Sequence, residues 1–188
     1  MYNKEQLETI WNKAVENKIQ QIKEEWEWLI DITVNKFLER GKILEIGCYD
    51  GGSSRCLSHF ASSMVTIDNN NPCRFDVSKL DAERYTYIAG DSHDPKVLAQ
   101  ILDEDWDFVF IDGDHSYEGV KADFNNIYPH LKKGTPVAFH DIVMSKFHHT
   151  HGCYVGEFWR DLKEEYPQNR IAEFITNGEW AGIGVIWC

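Results

Sequence analysis

The sequence predicts an α/β domain built on a mostly parallel sheet with helices on both faces. Three observations predict it. From Gly41 onward, short apolar segments alternate with amphipathic ones, the order that strand–helix–strand crossovers produce. Successive apolar segments end on Gly47, Asp68, Asp91, Asp112 and Asp141, which gathers acid groups at the carboxyl ends of the strands, where such sheets bind ligands. The last two segments, "RIAEFI" and "WAGIGVIWC", flank the turn "TNGE" and read as a hairpin, so one strand runs antiparallel near an edge. With 188 residues, 43% of them hydrophobic and 13% aromatic, the chain has enough apolar surface for one domain with a real core.

Residues 1–40 read as an N-terminal helical extension and 41–188 as the main domain. Leu7, Ile10, Trp11 and Ala14 recur at helical spacing, as do Ile22, Trp26, Leu29, Ile30, Thr33 and Phe37. Packing on the domain is the plain use of those faces. A homo-oligomer contact through Trp26 or Trp28 is the alternative. "KILEIG" is the first strand, followed by the turn "CYDGGSS" and a helix to about Phe60. "SMVTIDNN" and "YTYIAGDS" are the second and third strands. "DPKVLAQIL" is a helix capped by Asp94 with Pro95 in its first turn. "WDFVFIDGD" is the fourth strand, and "SYEGVKADFNNIYPHL" a helix ended by Lys132, Lys133 and Gly134. "TPVAFHDI" is the fifth strand and "GEFWRDLKEEY" the last helix. There is no internal repeat, linker or low-complexity segment.

The formal net charge of −12 argues against holding a polyanion by the bulk field, and only "LKKG" sets two basic residues side by side. Nucleic acid is therefore not the expected partner. No apolar run is long enough to span a bilayer, and "MYNKEQLETIWNK" is too polar for a secretory leader. Cys48, Cys56, Cys73, Cys153 and Cys188 are odd in number and form no CxxC pair, which reads as reduced thiols in a cytoplasmic protein.

The chemistry-bearing residues start at Glu45-x-Gly47-x-x-x-Gly51. Gly47 and Gly51 let the backbone turn tightly and approach a ligand, and Ser53 or Ser54 can cap the next helix. The spacing is not GxGxxG, which argues against a nicotinamide-dependent reductase. Asp68, closing the second strand, can accept both hydroxyls of a ribose. Asp91 and Ser92 close the third, where the amino group of an adenine would lie.

These residues resemble the class I S-adenosylmethionine-dependent methyltransferases over about 41–188. "FIDGDHSYEGVKADF" and "VAFHDI" are similar to the branch of cephalosporin hydroxylase-like proteins and macrocin-type sugar O-methyltransferases. The resemblance implies a Rossmann-like seven-stranded sheet in the order 3-2-1-4-5-7-6 with its last strand antiparallel. It implies S-adenosylmethionine as cofactor, with Gly47 and Gly51 near the methionine moiety, Asp68 at the ribose and Asp91 at the adenine. Glu45, Ser53, Ser92 and Asp112 complete the cofactor set. A sugar, glycoside or other small molecule is the implied acceptor, and the branch is often metal-dependent.

Methyl transfer from a sulfonium is a direct displacement, so the protein must position the acceptor oxygen and weaken its hold on a proton. A divalent cation does both. Asp112 and Asp141 are hard oxygen ligands suited to Mg²⁺. Related enzymes carry two oxygen ligands in a row at the fifth-strand end; here the pair is His140-Asp141, and an imidazole shifts preference toward Mn²⁺, Fe²⁺ or Zn²⁺. Asp114 or His115 is then the candidate general base, although Asp114 and Ser116 also stand where a helix cap belongs. His148, His149, His151 and Cys153 fit no closed zinc site and read better as a loop over the acceptor pocket, followed by Tyr154, Phe158 and Trp159 as lining or packing. The amino-methylating signature Asn/Asp-Pro-Pro-Tyr is missing after the fourth strand, where "DGDH" stands. The competing account is a non-catalytic or repurposed cofactor-binding domain supporting a partner enzyme.

Overall fold

The computed structural model describes residues 2–36 and 40–188, so Phe37 of the N-terminal pattern lies outside the described residues. Seven strands are present: β1 Gly41–Ile46, β2 Ala61–Asp68, β3 Arg84–Ala89, β4 Phe108–Ile111, β5 Pro136–His140, β6 Ile171–Phe174 and β7 Ile183–Trp187. The helices are α1 Lys4–Glu16, α2 Lys23–Ile32, α3 Gly52–Leu57, α4 Pro95–Leu98, α5 Tyr117–Ile127, α6 Lys146–Thr150 and α7 Val155–Glu165. The strands join in the expected order β3-β2-β1-β4-β5-β7-β6. β1 to β5 pair parallel, and β7 runs antiparallel to both β5 and β6.

Alternation along the strands splits the core into two layers. Ile43, Phe108, Phe110, Ala138 and Val185 face one side, where α1, α2 and α3 cover them with Ile10, Trp26, Leu29 and Leu57. Leu44, Val109, Ile111, Val137 and Phe139 face the other, under Val120 and Phe124 of α5 and Phe158, Trp159 and Leu162 of α7. The N-terminal helices thus share one core with the sheet. Trp26 is buried edge-on against Phe110, with its indole N–H on Cys56 Sγ at 2.9 Å, which corrects the idea that it could face a second subunit. Trp28 packs on Phe174 instead. Phe158 and Trp159 pack the core rather than line a pocket.

Three helix ends differ from expectation. α4 stops at Leu98, because the chain continues in i→i+3 turns that bring Ile101 into the core and its carbonyl onto the Trp106 indole N–H at 2.9 Å. α5 ends at Ile127, two residues before Pro129, whose missing N–H cannot continue the ladder. Gly134 turns back instead to donate to the Cys188 carbonyl at 2.7 Å. At the start of α3 neither serine caps the helix; Gly51 is its left-handed N-cap residue, with φ +82°.

One buried side chain ties the N-terminal helices to the far hairpin. Glu25 on α2 is fully buried and accepts from Thr176 N at 2.8 Å, Thr176 Oγ1 at 2.7 Å and Gly182 N at 2.8 Å. It satisfies the buried Gly182 N–H and pins the more exposed Thr176 of the β6–β7 connection. Glu25→Ala should therefore cost about 2 kcal/mol of folding stability, the penalty for orphaning the buried Gly182 N–H and losing the bonds to Thr176, read as a fall in urea midpoint. A loss within 0.5 kcal/mol, on the order of a surface substitution, would show that water replaces the carboxyl there.

Candidate active site

The carboxyl ends of β1 to β5 open into one cavity of about 1120 Å³. Gly47, Asp68, Asp91, Ser92 and Asp112 line it together with Asp114, His115, His140 and Asp141. Gly47 has φ +82°, and a Cβ there would collide with the Asp112 main-chain carbonyl. The loop after β1 therefore lies directly against the end of β4. Asp68 locks that loop: its Oδ2 accepts from Cys48 N at 2.9 Å and Tyr49 N at 3.0 Å, and its Oδ1 from Asn70 N at 2.8 Å. Although burial opposes it, these N–H groups hold the Asp68 carboxyl below its usual range. Much of its accepting capacity is thus spent on the protein.

Glu45, Gly51 and Ser53 stand apart from that cavity. Strand alternation turns Glu45 toward α3, where it is fully buried and accepts from Ser54 Oγ and from Thr66 Oγ1 at 2.9 Å. Gly51 allows the Phe75 ring to lie against the loop. Ser53 borders a smaller pocket of about 30 Å³ under the α1–α2 connection, shared with Gln21, Gly47 and Asp112.

Acids and imidazoles converge on the other side. One ligand atom each of Asp112, His140 and Asp141 lies within 4.8 Å of the others. His140 Nδ1 is 3.4 Å from Asp112 Oδ1 and 3.3 Å from Asp141 Oδ1. Adjacent residues of a strand point to opposite faces, and these two meet because Asp141 has φ +61°, a left-handed turn that swings it back. Burial opposes ionisation of all three, but mutual attraction dominates: both carboxyls are held below their usual range and His140 is raised well above its own. His140 Nε2 is buried without a hydrogen-bond partner among the described residues.

His115 reaches the same group, with Nε2 3.2 Å from Asp112 Oδ1 and Nδ1 3.7 Å from Asp141 Oδ2. The Asp112 hydrogen bond raises it, and its side chain is 41% exposed, so it alone among these groups meets both cluster and solvent. Asp114 is turned to the start of α5, where it accepts from Ser116 N at 2.8 Å and covers Gly119. Ser116 is the cap residue proper, accepting from Gly119 N at 3.0 Å. In α6 the histidines diverge: His148 donates Nδ1–H to Val143 O at 2.6 Å beside Asp141, His149 pairs with Glu157, and His151 returns to Phe147 O at 2.8 Å. Phe147, His148 and His151 line the cavity, the place expected of a covering loop.

A methyltransferase-domain family matches residues 44–142, more than half of the chain. The chain belongs to this family. Its matched span runs from β1 through both cluster-bearing strand ends. Among curated relatives, the methyltransferase domain is 28% identical over 113 residues to the demethylmacrocin O-methyltransferase of Streptomyces fradiae, covering 55% of this chain and 28% of that one. It is 27% identical over 113 residues to an uncharacterized protein of Acanthamoeba polyphaga mimivirus, covering 52% and 50%. The chain thus spans half or less of the length of these relatives. Two solved structures share the fold. One is the MycE methyltransferase from the mycinamycin biosynthetic pathway with Mg, SAH and mycinamycin VI, at 18% identity and TM-score 0.67, covering 96% of this chain and 53% of that one. The other is the O-methyltransferase from Bacillus cereus with SAH, at 20% and 0.61, covering 100% and 93%.

The methyltransferase domain also uses a residue that sequence reading missed. Gln21, in the connection between α1 and α2, donates Nε2–H to Asp112 Oδ2 at 2.7 Å, and its Oε1 is buried without a partner among the described residues. Nothing in its local pattern marks it; the Gln20-Gln21 pair between two helices reads as solvated.

Burial pushes the Glu45 carboxyl from an ordinary 4.5 up to about 7, against the pull of Ser53, Ser54 and Thr66. The folded chain keeps this proton to higher pH than the unfolded chain does. The stability it brings is complete below about pH 4.5 and is lost as pH rises through about 7. Glu45→Gln has no proton to lose. Relative to that variant, the wild type should lose about 3 kcal/mol between pH 4.5 and 8 in urea titrations. Parallel pH profiles for the two proteins would show that Glu45 titrates normally.

Proposed function

We propose that this chain transfers the methyl group of S-adenosylmethionine to a hydroxyl of a small molecule, a sugar, glycoside or natural-product intermediate, with a divalent metal beside the reacting oxygen. The observation that carries this reading is the single cavity in which the Gly47 loop, Asp68 and Asp91 face a metal-spaced Asp112–His140–Asp141 cluster. The SAH and Mg in the MycE structures, and the Streptomyces demethylmacrocin O-methyltransferase, support the same direction.

The donor set fits a cation. Two carboxylates and one imidazole stand at the mutual distances that ligands keep around one ion, and crowding them without a balancing charge is unfavourable. Mg²⁺ suits the oxygens; the imidazole makes Mn²⁺, Fe²⁺ or Zn²⁺ equally natural occupants. When bound, such an ion lowers the pKa of an acceptor hydroxyl and orients it, and S-adenosylmethionine supplies a methyl group already activated by its sulfonium. The chain's own work is placement. The Gly47 loop sets the donor end, Asp112 and Asp141 set the acceptor end, and α6 borders the cavity with Phe147 and His151. His115 is the group positioned to take the acceptor's proton, because its ring joins both cluster carboxylates and reaches solvent.

Calorimetric titration of S-adenosylhomocysteine into EDTA-treated protein, repeated with Mg²⁺ and with Mn²⁺, should give micromolar binding. Asp141→Ala should abolish binding of Mn²⁺ titrated on its own. Absence of cofactor binding under every condition would sink the reading and leave a methyltransferase fold with another ligand. Once an acceptor is found, His115→Ala should lower kcat by about 100-fold, the usual scale of a lost general base. An equal loss on Asp114→Asn and none on His115→Ala would reassign the base.

A further inference from the structure

We infer that Gln21 is a positioning residue for the metal: by holding Asp112 Oδ2 it leaves Oδ1 as the coordinating atom, so the site takes its cation through one oxygen of Asp112 and favours small octahedral ions over Ca²⁺. This rests on reading the Asp112–His140–Asp141 cluster as a metal site. The two oxygens of Asp112 have different surroundings. Oδ1 belongs to the cluster, 3.4 Å from His140 Nδ1 and 3.2 Å from His115 Nε2. Oδ2 takes the Gln21 side-chain amide at 2.7 Å. A carboxylate with imidazoles on its other oxygen accepts and does not donate, so the amide must present Nε2–H to it. Such a bond, with an ionised acceptor, is among the stronger ones a neutral donor makes.

Stability alone does not explain an amide at this position. Gln21 is buried, and its Oε1 has no hydrogen-bond partner among the described residues, a cost that an apolar side chain of similar length would avoid. What its polarity supplies is the bond to Asp112. The connection that carries it is placed by main chain. A Cβ at Gly52, where α3 begins, would meet Ile19 Cα at 2.3 Å, so the backbone before Gln21 lies directly on the start of α3. Lys18 turns the chain there with φ +56°, and Ile19 N donates to Ala14 O at 3.2 Å. Gln21 therefore reaches Asp112 from a fixed base. Groups that hold a ligand from behind set which of its atoms meets the metal. Mg²⁺ and Mn²⁺ accept a carboxylate through one oxygen, because waters or a substrate hydroxyl complete an octahedral shell. Ca²⁺ takes about six to eight oxygens and often both of one carboxylate, and with Oδ2 committed to Gln21 it loses one of them.

Calorimetric titration of Mn²⁺ and of Ca²⁺, each on its own, into wild type and Gln21→Met reads affinity and preference together. Methionine keeps the length of the side chain and removes the N–H. Mn²⁺ should bind about tenfold more weakly to the variant, the scale of one lost partner behind a ligand. Ca²⁺, free to use both oxygens of Asp112, should weaken less, so that the preference for Mn²⁺ falls at least about threefold. Equal weakening of both ions would show that Gln21 only supports the fold. That result, or unchanged Mn²⁺ affinity, overturns this inference and leaves the metal reading intact. If Gln21→Met does not fold, a crystal structure of the wild type with Mn²⁺ decides: an ion on Oδ1 with Gln21 still on Oδ2 supports the inference, and an ion on Oδ2 overturns it. A wild type that binds neither ion removes the metal reading and this inference together.

Discussion

The rim of this sheet is organised by one electrostatic constraint: the Asp112 carboxylate ends a strand buried on both faces, where a negative charge must be compensated. Three separate parts of the chain meet that demand. Gln21 arrives from between the N-terminal helices, His115 from the start of α5, and His140 from the end of β5. A buried cluster of this kind is poor evidence of stabilisation, because desolvation takes back much of what attraction gives. Its concentration in the cavity at the strand ends is better explained by a function that uses charge. The same constraint explains why the N-terminal helices are part of the working domain, since they carry a partner of Asp112 and, through Glu25, hold the hairpin that brings Trp180 to the cavity.

Backbone geometry follows the same map. Tyr49, Asp141 and Ala181 have φ of 47°, 61° and 62°, in the left-handed region that side chains disfavour, and all three stand at or next to the cavity wall. Such positions persist when the surroundings over-determine them. At Asp141 the return is visible: the turn lets two consecutive residues address one point. At Ala181 the main chain donates to His148 Nε2 at 3.2 Å, which joins the β6–β7 hairpin to α6 and so to the covering loop.

Legibility in the sequence divides along physical lines. The sheet was readable because each strand is apolar where both faces are covered and stops at a glycine or acid. The antiparallel strand was readable from the hairpin turn, whereas the pairing order was legible only through the family resemblance. Asp112, His115, His140 and Asp141 were readable as a group because they all sit at strand ends that topology places side by side. What stayed hidden depends on side-chain direction or on contacts between distant segments. Glu45 looks like part of a cofactor motif, but period-two alternation sends it under α3 to Ser54 and Thr66. Asp68 looks like a free strand-end acid, but it also closes the loop after β1 through Cys48 N and Tyr49 N while lining the cavity. Gln21 and Glu25 carry no local signal at all, because their partners are 91 residues and up to 157 residues away.

Gly47 explains why the two halves of the cavity keep a fixed relation. A displacement at carbon requires donor, methyl and acceptor in line, and a misplacement of about 1 Å can cost about 100-fold in rate. Side chains alone hold such a line poorly, since each brings its own rotamers. Here the donor loop and the Asp112 end of β4 touch through main chain: Asp112 N donates to Ile46 O at 2.8 Å, Gly47 N to Ile67 O at 2.8 Å, and no Cβ fits between residue 47 and the Asp112 carbonyl. The separation between the two ends is therefore set by sheet register, the stiffest element the fold has. The far wall of the cavity, formed by α6 and the β6–β7 hairpin, lies on connections that can change length and sequence without disturbing that register. A rigid main-chain frame on one side and a wall built on replaceable connections on the other let the shape of the cavity vary while its strand-end chemistry stays fixed.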